Sequence, residues 1–168
     1  MDKKIKLLTR KEYDKWLAAL PKNVCTFCQW STYQSVIKEF KYWVWINNIA
    51  PYWYFHTLFV PKRHFEREAE MTIDEMAELV RIKEFAFDVV MSAKLTFPNG
   101  RNKGQPVEKF VYFHRFRVNR FDPISGTMRP AHYHDHFCPD IDHRWDSTLN
   151  KDAKNYPITD FIETNLLI

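Results

Sequence analysis

The chain has 168 residues, and 45% of them are hydrophobic, which suits one globular domain with a core of its own. We therefore expect a single domain over residues 1–168. The net charge is only +4 and lacks the concentrated basic stripe of a nucleic-acid-binding protein, so no specific nucleic-acid binding is expected. No apolar run reaches the ~20 residues of a membrane span, and we expect a soluble, cytoplasmic protein.

The cysteines and glycines exclude two common kinds of domain. Three cysteines, two of them spaced as Cys25-x-x-Cys28, do not form the framework of a disulfide-rich secreted domain. They favour a metal site or a redox pair in a reducing compartment. Only three glycines are present, and none stands in a glycine-rich phosphate loop, so the sequence excludes that kind of nucleotide site.

The first half of the chain predicts one helix and two strands. Thr9 and Glu12 have the spacing of a capping box, which predicts a helix over residues 10–20. Residues 41–48 and 57–60 are rich in aromatic and β-branched side chains, and they predict two strands joined by a loop.

The second half predicts a long helix and two further strands. Thr72 and Glu75 form a second capping box, and apolar residues follow at helical spacing to about residue 95. A turn-rich loop over residues 97–105 leads to a strand over residues 110–119, and a histidine-rich strand over residues 132–136 comes later. This order predicts an α+β fold with a mostly antiparallel sheet and the long helix packed on it.

Three histidines stand at every second position in His132-Tyr133-His134-Asp135-His136. Side chains at this spacing lie on one face of a strand, so the three imidazoles form one concentrated site. Histidine is not a favoured strand residue, and neighbouring rings repel one another when they are protonated. The run therefore indicates a functional site, although a tolerated cluster on an edge strand gives the same pattern.

Two segments of the chain together resemble the histidine triad (HIT) family of nucleotide-binding hydrolases and transferases. The first segment, residues 48–64, is similar to the family's Asp-x-x-Pro, Gly-His-Thr-Leu and Pro-Lys-x-His pattern, and it contains His56-Thr57-Leu58 and Pro61-Lys62-Arg63-His64. The second is the histidine triad itself. With Cys25-Thr26-Phe27-Cys28 upstream, the resemblance covers about residues 24–140, and it implies the HIT-like α+β fold.

The resemblance implies covalent catalysis through a histidine. His134 would attack the α-phosphate of a nucleotide conjugate and form a nucleotidyl-histidine, since a neutral imidazole is a competent nucleophile. His136 would contact the same phosphate or the leaving group, and His56 would help to set the tautomer of His134. A loop histidine with purely local hydrogen bonds explains His56 equally well.

Three further residues resemble nucleotide contacts of the family. Asn48 stands where the family usually has an acidic residue that binds the ribose, and Asn119 resembles its phosphate-contacting asparagine. Arg129 lies where hydrolases of this family carry Gly-Gln-Ser, and it would offer a bidentate cation to a phosphate. A strand-end turn explains Asn119 as well, and a solvated surface charge explains Arg129.

The resemblance also implies a structural zinc ion, as in the zinc-bearing branch of the family. Its four ligands would be Cys25, Cys28, His64 and His132, a set of thiolates and imidazoles that suits tetrahedral zinc. The alternatives for the two cysteines are a redox pair and two buried thiols.

The chain departs from the family pattern at the triad and before it. Asp135 is charged where the family prefers an apolar residue, so we expect that face to be solvated or paired, and Phe55 replaces a small residue. The aromatic residues 52–55 would line a nucleobase pocket or pack in the core or a dimer interface. The family usually forms homodimers, which is the expectation here.

We expect a HIT-type nucleotidyl hydrolase that acts on nucleoside phosphoramidates, dinucleoside polyphosphates or nucleotide sugars. The third triad residue, His136, favours a hydrolase, because the transferase branch resembles His-x-His-x-Gln. Three alternatives stay open. The first is a nucleotide-binding or interaction protein with little turnover, and the second is a nucleotidyltransferase. The third is a catalytic metal centre formed by the three triad histidines.

Overall fold

The computed structural model describes residues 7–21, 24–29, 35–100, 102–114, 121–122, 127–128 and 132–140. Within these residues it contains two α-helices and seven strands. The helices are α1 (Arg10–Ala19) and α2 (Ile73–Ser92), with a 3₁₀ turn (Glu68–Glu70) before α2. The strands are β1 (Ser35–Glu39), β2 (Trp43–Asn47), β3 (Thr57–Pro61), β4 (Phe110–His114), β5 (Phe121–Asp122), β6 (Thr127–Met128) and β7 (Asp135–Pro139).

Five strands form one antiparallel sheet in the order β1-β2-β3-β7-β4, and β5 pairs with β6 separately. The late strand β7 lies between β3 and β4, where Leu58 and Phe113 both pair with His136. His136 is therefore carried by a central strand, not by an edge strand, and His132 and His134 lie in the segment just before it. The architecture confirms the predicted α+β fold with an antiparallel sheet and a long helix packed on it.

Both helices begin at the capping boxes that the sequence predicted. The Thr9 side chain accepts a hydrogen bond from the Glu12 N–H, and Thr72 does the same for Glu75. Both glutamates bond back to the N-cap backbone. Within the described part of the chain, no helix combines the length and the apolar character needed to cross a membrane.

The two faces of the sheet bury different sets of side chains. One face packs Trp43, Trp45, Phe59 and Phe137 against the buried side of α2. The opposite face carries a second apolar cluster, which includes Phe27 from the loop before β1. Because side chains alternate along β7, Asp135 and Phe137 lie on the α2 face and His136 lies on the opposite one. The histidine site is thus on the face of the sheet away from α2.

The structure differs from the predicted strands in β1, in the short β5–β6 pair, neither of which was predicted, and in the start of β7. Strand β1 is half-exposed, and its sequence mixes charged residues with only two β-branched ones. The sequence pattern was therefore too weak to predict this strand. Strand β4 is described as far as His114, and residues 115–119 of the predicted strand lie outside the described residues. Strand β7 begins at Asp135, because Tyr133 N–H donates to the carbonyl of Phe65, in the loop after β3, at 2.7 Å.

The aromatic segment 52–55 is divided between the core and the histidine site. Tyr54 and Phe55 are only 2% exposed and belong to the core beside α2, so they do not line a base pocket. Phe55 has a φ of 58°, a backbone conformation that favours glycine. Burial of its ring offsets that strain, which explains how a phenylalanine occupies this position directly before His56.

Candidate active site and metal centre

A loop between β2 and β3 places His56 beside the triad. Tyr52 N–H donates a hydrogen bond to His56 Nδ1 at 3.0 Å, so Nδ1 is an acceptor and the proton of the neutral ring is on Nε2. His56 Nε2 lies 2.8 Å from His136 Nδ1. His56 therefore donates to His136, and this places the proton of a neutral His136 ring on its own Nε2. The backbone of one loop residue thus sets the tautomers of two imidazoles.

A different backbone group sets the tautomer of His134. Its Nδ1 lies 2.8 Å from the carbonyl oxygen of His132, which can only accept, so Nδ1 carries the proton. In a neutral His134 ring, Nε2 is then the nitrogen that carries the lone pair. The sequence analysis gave this orienting role to His56, whose Nε2 lies next to His136 Nδ1. A part for His56 in setting the His134 tautomer stays a prediction.

Aromatic rings hold the imidazoles in place. Phe113 of β4 is stacked on His136 with 4.5 Å between ring centres, and Phe27 lies 4.7 Å from His134. The rings of His134 and His136 are themselves 4.9 Å apart. His56 and His136 are each 3% exposed, whereas His134 is half-buried and so the more accessible of the three. His134 is therefore the imidazole most open to a ligand, and His136 lies beside it.

His132 faces a second cluster instead of the catalytic pair. Its Nε2–H donates to the carbonyl of Pro61 at 2.9 Å, which leaves Nδ1 as a lone pair. That Nδ1 lies 3.5 Å from Cys25 Sγ and 3.6 Å from Cys28 Sγ, and His64 Nδ1 lies 3.1 Å from Cys28 Sγ. Burial and the nearby His64 lower the pKa of His132 to about 3, so its ring is neutral at physiological pH.

The four predicted metal ligands meet at one point. The ligand atoms of Cys25, Cys28, His64 and His132 all lie within 4.8 Å of one another. Bond lengths of about 2.3 Å to sulfur and 2.1 Å to nitrogen give tetrahedral ligand separations of about 3.4 to 3.8 Å. The Cys25–His132, Cys28–His132 and Cys28–His64 distances of 3.5, 3.6 and 3.1 Å are close to these values. Two thiols and two imidazoles with available lone pairs therefore fit a zinc ion. Among the described residues, no other cluster of three or more potential ligands is found, and His134 and His136 do not belong to this one.

The loop that carries His64 is anchored to the start of α2. Arg63 donates to both carboxylate oxygens of Glu75, at 2.9 and 2.8 Å, and the guanidinium lowers the pKa of that buried carboxyl. Glu75 is also the capping-box residue of α2. One bidentate ion pair thus connects the cluster of four candidate metal ligands to the N-terminus of α2.

Asp135 is buried behind the triad and paired. It is 2% exposed on the α2 face of the sheet, where it forms an ion pair with Lys83 of α2. Tyr133 Oη–H donates to its Oδ1 at 2.8 Å, and His114 Nδ1 lies 3.8 Å from the same oxygen. The sequence analysis expected this face to be either solvated or paired, and the structure shows that Asp135 is paired.

We predict that removing Lys83 alone destabilises the fold, whereas removing the charges of Lys83 and Asp135 together costs little stability. Lys83→Met should lower the free energy of unfolding by about 3 kcal/mol, because it leaves a buried carboxylate without its counterion. Lys83→Met combined with Asp135→Asn should recover most of that loss, since the amide still accepts from Tyr133. Urea unfolding measures both. Lys62→Met, which removes an exposed ion pair with Glu39, is the control and should cost less than about 1 kcal/mol; an equal loss there would contradict the prediction.

The remaining predicted residues are only partly tested. The Asn48 side chain is engaged within its own loop, where Oδ1 accepts from Ala50 N–H at 3.0 Å and Nδ2 lies 3.3 Å from the ring nitrogens of His56. A ribose contact through Asn48 stays a prediction. Asn119 and Arg129 lie outside the described residues. The third cysteine, Cys138, is fully buried, and burial raises the pKa of its thiol, so it is no candidate nucleophile.

No protein-family model matches the sequence, and no curated protein matches it either. Solved structures do match its fold. The chain is similar to a hypothetical histidine triad nucleotide-binding protein from Sulfolobus tokodaii, with 20% identity, a TM-score of 0.51, and 83% of this chain and 93% of that chain covered. It is also similar to a HIT family protein from Bacillus anthracis, with 17% identity, a TM-score of 0.51, and 74% and 78% coverage.

The chain therefore has the histidine triad fold. This confirms the fold that residues 48–64 and the triad predicted together. At these identities the similarity concerns the fold, and the chemistry of this chain must be argued from its own side chains.

Proposed function

We propose that the protein is a nucleotide-binding phosphohydrolase that uses His134 as its nucleophile. One set of observations carries this proposal: the hydrogen bonds of the rings with backbone groups and with each other, from which we infer complementary tautomers in two adjacent neutral rings. The carbonyl of His132 leaves a lone pair on His134 Nε2, while the relay from Tyr52 through His56 leaves a proton on His136 Nε2. A nucleophile beside a hydrogen-bond donor is the arrangement that attack on a phosphate ester or phosphoramidate requires.

The reaction takes two steps. In the first, the His134 Nε2 lone pair forms a bond to the α-phosphorus, and the bond from phosphorus to the leaving group breaks. The leaving group departs with the electron pair and takes up a proton from solvent, while His136 Nε2–H donates to a phosphate oxygen. In the second, water attacks the phosphorus, the N–P bond breaks, and a nucleoside monophosphate, a proton and free His134 are released.

A zinc ion would have a structural role in this proposal. Cys25, Cys28, His64 and His132 would hold it, and the ion would join the loop before β1 to the segment preceding β7. Because the His132 carbonyl orients His134, a metal bound at the His132 ring also supports the nucleophile. Thiol ligands of this kind require a reducing compartment, which is consistent with a cytoplasmic location.

Three alternative functions remain distinct from this proposal. A binding protein on the same fold would bind nucleotides without turnover, and a transferase would pass the nucleotidyl group to an acceptor other than water. A catalytic three-histidine metal centre is less favoured. Within the described residues, the rings of His132, His134 and His136 are not gathered around one point. One ring nitrogen of each is engaged in a hydrogen bond: His132 Nε2, His134 Nδ1 and His136 Nδ1.

The direct test is turnover of a fluorogenic nucleoside 5′-phosphoramidate by the purified protein. We expect release of the fluorophore together with nucleoside monophosphate, at a rate unaffected by a chelator over the time in which the protein stays folded. Nucleotide binding without turnover would instead support the binding-protein alternative. Rapid loss of turnover on chelation, with the fold intact by circular dichroism, would support the metal-centre alternative.

We also propose that the chain forms a homodimer through α2 and β4. Four apolar side chains lie exposed on one face of α2, and Ile73 among them is 87% exposed. Strand β4 is the last strand of the described sheet and exposes Tyr112. A dimer should appear in light scattering, and Val80→Asp on the exposed face of α2 should make it a monomer. A monomeric wild-type chain would contradict this proposal.

A further inference from the structure

We propose that Trp53 is a positioning residue that anchors the loop carrying His56 to the end of strand β7, and so keeps the His56 and His136 rings in contact. This inference rests on the proposed function and deepens it. Sequence analysis allowed Trp53 a base pocket, the core or a dimer interface. Only the folded chain brings it to its partner Pro139, which lies 86 positions away.

The contact between His56 and His136 joins two separate elements of the fold. His56 is the last residue of the loop between β2 and β3, whereas His136 lies within β7. Their ring nitrogens lie 2.8 Å apart, and a hydrogen bond of this length weakens steeply when its geometry changes. The pairing of β3 with β7 begins at Thr57, so the sheet itself fixes the loop only at its C-terminal end. The rest of the loop needs another anchor to β7.

Trp53 contacts both elements. Its indole Nε1–H donates to the carbonyl oxygen of Pro139, the last residue of β7, at 2.8 Å. Its ring is stacked on His56 at 24°, with 5.8 Å between the ring centres. Trp53 is 8% exposed, and a hydrogen bond between buried groups is costly to break because no water replaces the lost partner. One side chain therefore connects the ring of His56 to the strand that carries His136.

These contacts form a closed circuit. Trp53 is stacked on His56, and His56 is bonded to His136. Strand β7 then leads from His136 to Pro139, whose carbonyl accepts the Trp53 N–H. His136 has a separate support in Phe113 of β4, since the two ring planes are only 1° apart. The part that Trp53 adds is therefore the position of His56, and it holds the two imidazoles together whichever of them carries the shared proton.

A misplaced His56 should affect the chemical step more than substrate binding. In the proposed reaction the substrate contacts His134 and His136, and His56 acts only through His136. A loop that moves away from β7 changes the hydrogen bond behind His136 and leaves the substrate contacts in place. We therefore expect loss of the Trp53 N–H to lower kcat and to change KM little.

The test compares the same substitution at two tryptophans. Trp53→Phe removes the indole N–H and keeps an aromatic ring beside His56, so the variant should fold. Trp43→Phe is the matched control, because the buried Trp43 Nε1–H also donates to a backbone carbonyl, that of Glu75, at 2.8 Å, but on the α2 side of the sheet. Both variants should lose similar stability in urea unfolding, whereas only Trp53→Phe should lower phosphoramidate kcat, by about tenfold.

Three further readouts separate a positioning role from a purely structural one. A nuclear Overhauser contact between the His56 and His136 rings should weaken in Trp53→Phe and persist in Trp43→Phe. In a double-mutant cycle, Trp53→Phe should cause little further loss of kcat once His56 is replaced by alanine. The Trp53 indole N–H of the wild type should exchange slowly with solvent, and fast exchange would show that its bond to Pro139 is not formed.

Three other outcomes would also overturn the inference. An unchanged ring contact in Trp53→Phe would mean that Trp53 does not hold His56 at β7. Equal losses of kcat in Trp53→Phe and Trp43→Phe would mean that both act only through stability. Additive losses with His56→Ala would mean that Trp53 acts by a route that does not include His56. The ring contact and the exchange rate are measured without substrate, so absence of turnover in the wild type would contradict the proposed function while these two measurements still decide the inference.

Discussion

Replacing His134 with alanine should reduce phosphoramidate turnover at least about a thousandfold, which corresponds to about 4 kcal/mol of transition-state stabilisation. The loss follows from the lone pair on His134 Nε2, which the His132 carbonyl creates by binding Nδ1–H. A half-buried side chain is removed, so the variant should fold. The measurement is kcat/KM for the same fluorogenic substrate, with circular dichroism as a check on folding.

His114→Ala is the matched control for this loss. His114 belongs to β4, is exposed, and faces Asp135 on the α2 side of the sheet, away from the proposed catalytic rings. Its replacement should leave turnover close to that of the wild type. If His134→Ala retained turnover, or if His114→Ala lost it to the same extent, His134 would not be the nucleophile.

Removal of zinc from the cluster of Cys25, Cys28, His64 and His132 should have the second large effect, which is a loss of thermal stability. We expect one zinc ion per chain by elemental analysis, bound by two thiolates and two imidazoles. At a free zinc concentration about 1,000 times the Kd, binding stabilises the fold by about 4 kcal/mol, so a strong chelator should lower the Tm clearly. Cys28→Ser should bind zinc much more weakly and show a smaller response to the chelator, because Cys28 is exposed and its replacement costs little packing.

His134→Ala serves as the control for metal content. It lies outside the cluster of ligand atoms, so it should retain the zinc that Cys28→Ser loses. The opposite pattern, with metal lost on replacing His134 and kept on replacing Cys28, would support a catalytic metal at the triad. Absence of any metal in wild-type protein purified without chelators would contradict the zinc assignment.

Elements with local signals were predictable from the sequence. Both helices begin where Thr9 and Thr72 cap them, because a capping box involves residues only three positions apart. Strand β1 had no comparable signal, and its identity depends on pairing with β2. The period-two spacing correctly placed His136 and Asp135 on opposite faces, but it did not show that His132 and His134 precede the strand. That boundary depends on a hydrogen bond to Phe65 in a distant loop.

The candidate site shows the same division. The sequence motifs named the four proposed metal ligands, and the fold brings their ligand atoms together. The orientation of the rings depends on backbone groups of His132 and Tyr52, which no side-chain motif encodes. Arg10 donates to Tyr52, and Lys83 pairs with Asp135, so each contact joins residues far apart in the sequence. In the sequence alone, Arg10 and Lys83 are ordinary charged residues on the surface of a helix.

The central claim is that a nucleotide becomes covalently attached to His134. It is tested most directly by mixing the wild-type protein with a nucleoside phosphoramidate, stopping the reaction with denaturant within the first turnover, and measuring peptide masses. We expect one nucleotidyl group on the peptide that contains His134, decaying as hydrolysis proceeds and absent from His134→Ala. Turnover by the wild type with no adduct, or with an adduct that persists in His134→Ala, would contradict the account.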